Sequence, residues 1–143
     1  MGMFDMLDVS ASGMTAQRLR LDVISNNIAN VNTTRSSEGG PYRRERVVFQ
    51  EKREKKTFSD YLKNSKPAGV RVASIQKDDA PFKTVYDPTH PDADAEGYVR
   101  YPNVNIVTEM VDMISALRSY EANATAIDAA KSMMSKALEI SRS

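Results

Sequence analysis

The residues of this chain that could do chemistry gather in one stretch. Asp87-Pro88-Thr89-His90-Pro91 sets a carboxylate three residues before an imidazole, a spacing that suits an acid/base pair or two ligands to a metal. His90 is the only histidine and cysteine is absent, so zinc sites and Ser/His/Asp nucleophilic sites would all have to pass through one residue. Pro88 and Pro91 bracket His90 and mark a rigid loop whose polar side chains bond their own backbone. Next, Asp92-Ala93-Asp94-Ala95-Glu96-Gly97 places acids at alternate positions before a glycine, as a calcium-binding loop begins. The twelfth position of that loop is Asn103, where a bidentate glutamate is required, and Pro91 and Pro102 are poor flanks for its two helices. The stretch reads as a solvated acidic turn. No catalytic residue, cofactor site or metal site is assigned.

The rest of the composition agrees. Twenty Lys and Arg stand against 19 Asp and Glu, so a net charge of +1 gives no general pull toward nucleic acid. The charges are nevertheless segregated. Arg43 to Lys56 is locally basic and Asp78 to Glu96 locally acidic, which suits complementary faces between copies or within one chain, or two solvated runs. The longest apolar run, Val47-Val48-Phe49, is far below the roughly 20 residues of a membrane span or the roughly 7 to 15 of a signal-peptide core. Neither direct membrane insertion nor a cleaved signal peptide is expected.

The elements that position these residues follow from the punctuation. All six prolines lie between Pro41 and Pro102, leaving both ends of the 143-residue chain free to be long helices. Alternating steps of four and three from Met3 reach Leu7, Ser10, Met14, Gln17, Leu21, Ile24, Ile28 and Val31, an apolar seam broken only by Ser10 and Gln17. The C-terminal seam runs through Ile106, Met110, Met113, Leu117, Tyr120, Ala124, Ile127, Lys131, Met134 and Leu138, with Lys131 its one polar member. Val107, Val111 and Ile114 widen it early. Helices from near Phe4 to Val31 and from Asn105 to Ile140 are expected, as an antiparallel coiled-coil-like pair. Between them, Arg43 to Gln50, Gly69 to Gln76 and Gly97 to Tyr101 read as strands, with one helical turn near Ser59 to Lys63. The fold class is mainly α: residues 1–34 a core helix, 35–104 a loop-rich insert with short strands, 105–143 a second core helix. With no third long helix to complete a bundle, the seams favour self-assembly over a monomeric hairpin.

Asn26, Asn27, Asn30 and Asn32, with Thr33, close the first helix. Asn26 and Asn30 share a face, and buried amides along a seam can fix axial register by demanding specific partners; the alternative is a polar face fraying into a turn. Ser12-Gly13-Met14-Thr15-Ala16-Gln17 followed by Asp22-Val23-Ile24-Ser25-Asn26-Asn27-Ile28-Ala29-Asn30-Val31-Asn32-Thr33 resembles the N-terminal motif of bacterial flagellar rod and hook subunits. Gly39-Gly40-Pro41-Tyr42-Arg43-Arg44, Val85-Tyr86-Asp87-Pro88, His90-Pro91-Asp92-Ala93-Asp94, Glu109-Met110-Val111-Asp112-Met113-Ile114 and Tyr120-Glu121-Ala122-Asn123 narrow the resemblance to the proximal rod branch of that family. Many relatives continue Asn-Thr into Pro-Gly-Tyr; here the chain reads Thr34-Arg35-Ser36.

The resemblance implies a structural subunit that leaves the cytoplasm through the flagellar type III export apparatus. It further implies polymerisation on the membrane ring of the basal body, with the terminal helices packed in the core of a tube. Its partners would be copies of itself, other rod subunits, the membrane-ring adaptor and the surrounding ring proteins, and its place the periplasm-spanning rod that carries torque to the hook. Seams without partners in the single chain would gain order as assembly covers them. The competing class is a non-flagellar helical adaptor that docks its C-terminal helix in a partner's groove.

Overall fold

The computed structural model describes residues 3–37, 39–52 and 69–142. Helix α1 runs Met3–Ala29, strands β1 and β2 are Glu45–Glu51 and Val70–Lys77, β3 and β4 are Lys83–Tyr86 and Tyr98–Tyr101, and helix α2 is Ile106–Arg142. The expected turn at Ser59 to Lys63 lies outside the described residues. Both helices agree with the periodicity to within two residues at each end. At about 1.5 Å per residue they are about 40 and 55 Å long.

Each helix has a local reason to start or stop. The Asn105 side chain accepts the N–H groups of Val107 and Thr108 at 3.0 and 3.3 Å, capping α2 directly after the Pro102 corner. At the other end of the insert α1 unwinds through tightened bonds, Val31 N–H to the Ile28 carbonyl and Thr33 N–H to the Asn30 carbonyl. Here Asn30 turns its amide back on the Asn26 carbonyl, and the Thr33 hydroxyl donates to Asn30 Oδ1.

The helices pair antiparallel. Asn27 lies beside Glu109, Arg20 beside Asp112 and Gly13 beside Asn123. A Cβ built on Gly13 meets the Asn123 amide at 3.0 Å, so the absence of a side chain there sets how closely the helices approach. The buried face joins small and polar groups to two β-branched residues: Ala16, Val23, Ile24 and Asn27 on α1, Glu109, Ala116 and Ala130 on α2.

The insert comprises two antiparallel hairpins. β1 pairs with β2 from Glu45 opposite Lys77 to Glu51 opposite Val70, with a register shift between Val48 and Phe49. β3 pairs with β4 from Lys83 opposite Tyr101 to Tyr86 opposite Tyr98. β3 is absent from the sequence expectation because Lys-Thr-Val-Tyr is a four-residue strand set among prolines. Gly97 adopts φ 83° where a Cβ would meet the Tyr86 ring, so a side chain there is strained by both conformation and space. Among the described residues no helix is long and apolar enough to cross a membrane.

Candidate functional site

The helices and the insert converge on Asn27, the last large buried side chain of α1 before the helix unwinds. Its Nδ2 donates to the Glu45 carbonyl at 2.7 Å and to Glu109 Oε2 at 2.9 Å. Its Oδ1 accepts the Tyr42 hydroxyl and the Glu45 N–H, both at 2.9 Å. Two donors and two acceptors are thus all engaged, which is the full capacity of a primary amide. Against Glu45 the side chain acts as a peptide group does in a sheet, bonding both the N–H and the carbonyl of one residue. Only an amide offers that donor and acceptor side by side, so β1 starts where Asn27 fixes it.

Glu109 is fully buried. Its second oxygen receives Arg44 Nε at 2.6 Å, and the same guanidinium reaches Asp78 and Asp112 at 3.3 Å each. Arg20 completes the cluster with an ion pair to Asp112 at 3.0 Å. Burial disfavours the Arg44 charge, but the bonds to Glu109 and Asp78 outweigh it and hold the guanidinium protonated above its ordinary range. The Asp78 carboxyl is held below the usual range, first by the Ala80 N–H and then by Arg44. Tyr42 is pushed up to about 12 by burial and by the charges of Glu45 and Glu109. Asn103 fastens the far side, accepting the Arg44 N–H at 2.8 Å and donating to the carbonyls of Asp78 and Ala80.

The sequence-derived seam residues divide into three groups. Ile24 is buried, while Leu7, Met14, Leu21, Ile28, Val31, Met113, Tyr120, Ala124, Ile127 and Met134 are half-buried. Ile106, Met110, Leu117 and Leu138 are exposed, Met110 by 55%. The flanking Val107, Val111 and Ile114 are exposed as well, Val111 by 62%. The face shared by α1 and α2 therefore lies beside the apolar stripe rather than on it, and the stripe at the start of α2 is uncovered. It adjoins a groove of about 890 Å³ whose apolar lining includes Val31, Val85, Tyr101, Val104 and Ile106.

The asparagine expectation is corrected in its detail. Asn26 and Asn32 are exposed and Asn30 half-buried; Asn27 is the buried amide, and its partners belong to the same chain. The segregated charges likewise meet within one chain where they are described: Arg44 pairs with Asp78, and Arg43 lies 3.9 Å from Asp79 while stacking on the Phe82 ring. Arg43 and Arg44 are thus engaged inside the chain. Glu109 and Arg44 were missed as a pair because nothing in their local spacing announces a contact across 65 positions.

The chemistry-capable loop is occupied with its own backbone. His90 Nδ1 accepts the Asp92 N–H at 3.1 Å, Asp87 takes both the N–H and the hydroxyl of Thr89, and Asp94 takes the N–H groups of Glu96 and Tyr98. Asp92 binds Thr34 and Arg35, so the two residues that follow Asn-Thr in this chain tie the end of α1 to the acidic turn. The Thr34 hydroxyl and the Arg35 charge hold the Asp92 carboxyl below its ordinary range. Among the described residues no three of His, Asp and Glu are grouped so as to hold a metal ion.

Two family models match this architecture. Residues 7–35 match the flagella basal body rod protein family, and residues 95–140 match the C-terminal family of flagellar basal body rod FlgEFG proteins. Over 98% of both chains the sequence is 55% identical to the flagellar basal-body rod protein FlgC of Borreliella burgdorferi. The chain belongs to the FlgC family of flagellar basal-body rod proteins. The Bacillus subtilis FlgC is 51% identical over 97% of this chain and 98% of its own, and the Salmonella typhimurium FlgC is 41% identical over 98% of each. Within the FlgC frame the two matched segments contribute Asn27 and Glu109, one each, whereas Tyr42 and Arg44 come from the stretch between them.

Proposed function

We propose that this chain is a non-catalytic structural subunit of the proximal rod of the bacterial flagellar basal body. It leaves the cytoplasm through the flagellar type III export apparatus and builds a helical tube on the membrane ring. In the tube α1 and α2 pack coiled-coil fashion against copies of the chain and other rod subunits, within the surrounding ring proteins. The shaft so formed crosses the periplasm and passes motor torque to the hook. Near-full-length identity to FlgC proteins supports the rod over an unrelated adaptor.

The observation that carries the assembly mode is the uncovered stripe of Ile106, Val107, Met110, Val111, Ile114 and Leu117 on a single helix. Contiguous exposed apolar surface of this kind marks an interaction site. A seam that closes only against neighbours couples folding to incorporation. The test is the circular dichroism of the purified chain as concentration rises, together with a search for the chain in basal bodies isolated from cells that carry it as their sole copy. Helix content should climb with concentration and the chain should appear in the isolated rods. Constant helix content with absence from basal bodies would overturn the reading in favour of a free adaptor.

A further inference from the structure

We infer that Asn27 and Glu109 are the chief determinants of the register of the helix pair, against a second alignment seven residues away that the spacing of the small interface residues would also permit. The observation is a coincidence of spacing. On α1, Gly13 and Asn27 are two heptads apart with Arg20 midway; on α2, Glu109, Ala116, Asn123 and Ala130 follow one another at intervals of seven. Gly13 meets Asn123 and Asn27 meets Glu109, while Ala116 and Ala130 are buried at the intervening and following levels.

Sliding α1 by seven residues toward the far end of α2, about 10 Å, sets Gly13 against Ala130 and Asn27 against Ala116. Each then meets a methyl group, so no large side chain blocks either level, while Arg20, midway, comes opposite Asn123. The Asn30–Arg43 loop has length to follow, and the ties outside the node that resist are the Arg20–Asp112 ion pair, the Val70 N–H on Ser12 Oγ, Tyr42 N–H on the Thr33 carbonyl, and Thr34 and Arg35 on Asp92.

The polar node does forbid it. In the slid alignment the Asn27 amide would lose Glu45, Tyr42 and Glu109 together and face the Ala116 methyl. A single buried polar pair that specifies alignment at a cost in stability is the best-attested use of such groups in helix pairs. Register has a consequence beyond stability. It fixes how far α2 projects past α1, and so where the exposed Leu138 and Ile140 stand relative to Phe4 and Met6.

The chain has no cysteine, so two introduced thiols report register without background. Gly13→Cys with Asn123→Cys lies within disulfide reach only in the native alignment, and Gly13→Cys with Ala130→Cys only in the slid one. Each pair is oxidised in the purified full-length chain, at the concentration where helix content has levelled off, and internal links are mapped by mass. In the parent background the 13–123 link should form and the 13–130 link should be a trace. Adding Asn27→Leu with Glu109→Met should make the 13–130 link a main product while helix content is kept. Glu109→Gln, which keeps a hydrogen-bonding partner for Asn27, should restore the native pattern. A 13–130 link that stays a trace in the helical double variant would overturn the proposal and leave the node as a stabiliser only. Should the double variant lose its helix, Asn27→Ala, which leaves Arg44 on Glu109, is read by the same two outcomes.

Discussion

Arg44 and Glu109 stand 65 positions apart and meet with Nε 2.6 Å from Oε1, one at the threshold of β1 and the other in the first turn of α2. A carboxylate with no exposure is stable there only because this cation and the Asn27 amide reach it. Arg44→Met therefore should destabilise the chain by about 3 kcal/mol, since it strands a buried charge. Arg44→Met with Glu109→Leu should lose clearly less than Arg44→Met alone. Urea midpoints of the two single variants and the double variant close the cycle, and additive losses would show that the two groups do not depend on each other.

The uncovered stripe predicts a separation of folding from assembly. Met110→Glu and Val111→Glu lie at exposed positions, so the isolated chain should change by no more than about 0.5 kcal/mol. Burying those carboxylates against a neighbour costs several kcal/mol, and cells carrying either variant should lose swimming in soft agar. Full motility in both would mean that this face is never covered.

Gly13 offers a prediction in which two effects nearly cancel. Gly13→Ala gains about 1 kcal/mol of helix propensity, but the new methyl displaces the Asn123 amide, which now donates to the Ser119 carbonyl at 2.8 Å. That bond is worth a similar amount, about 1 kcal/mol, so thermal unfolding should move little. Gly13→Leu has no such compensation and should lower stability by about 1 to 3 kcal/mol through overpacking.

The Tyr42 hydroxyl supplies a pH dependence with a definite sign. Its pKa is raised from 10.0 to about 12 in the folded chain, so the folded state holds that proton more tightly than the unfolded one. The contribution is complete below pH 10 and is lost as pH climbs toward 12. Denaturation midpoints between those limits should fall more steeply in the parent than in Tyr42→Phe. Parallel slopes would place the hydroxyl outside the node.

Gln17 Oε1 is enclosed without a hydrogen-bond partner among the described residues. Gln17→Leu removes that unmet acceptor and should raise the stability of the isolated chain by about 1 kcal/mol, read as a higher urea midpoint.

The helices were legible because a long proline-free run with apolar residues every three to four positions has one good solution, and their ends carry asparagine caps that can be read locally. Strands β1, β2 and β4 showed through short runs rich in β-branched and aromatic residues, Val47-Val48-Phe49, Val70-Arg71-Val72 and Tyr98-Val99. What sequence concealed is the side on which the helices meet. Apolar periodicity points to the stripe through Met110 and Leu117, whereas close approach is decided by Gly13, Ala116 and Ala130, whose smallness carries no hydrophobic signal. The polar node was hidden for a related reason: Asn27 looks like its neighbours Asn26 and Asn30, and only the arrival of Glu45, Tyr42 and Glu109 from distant segments sets it apart.

The antiparallel course of the two helices has a practical side. It leaves Met3 and the last turns of α2 at one extremity and the Asp94–Glu96 turn beyond the other, with a helix pair of about 40 Å between them. A fluorophore or epitope fused to either end would crowd the same tip. One placed at Ala95 or Glu96, both exposed, would leave helix faces untouched, which makes that turn the position of choice for counting subunits in living cells.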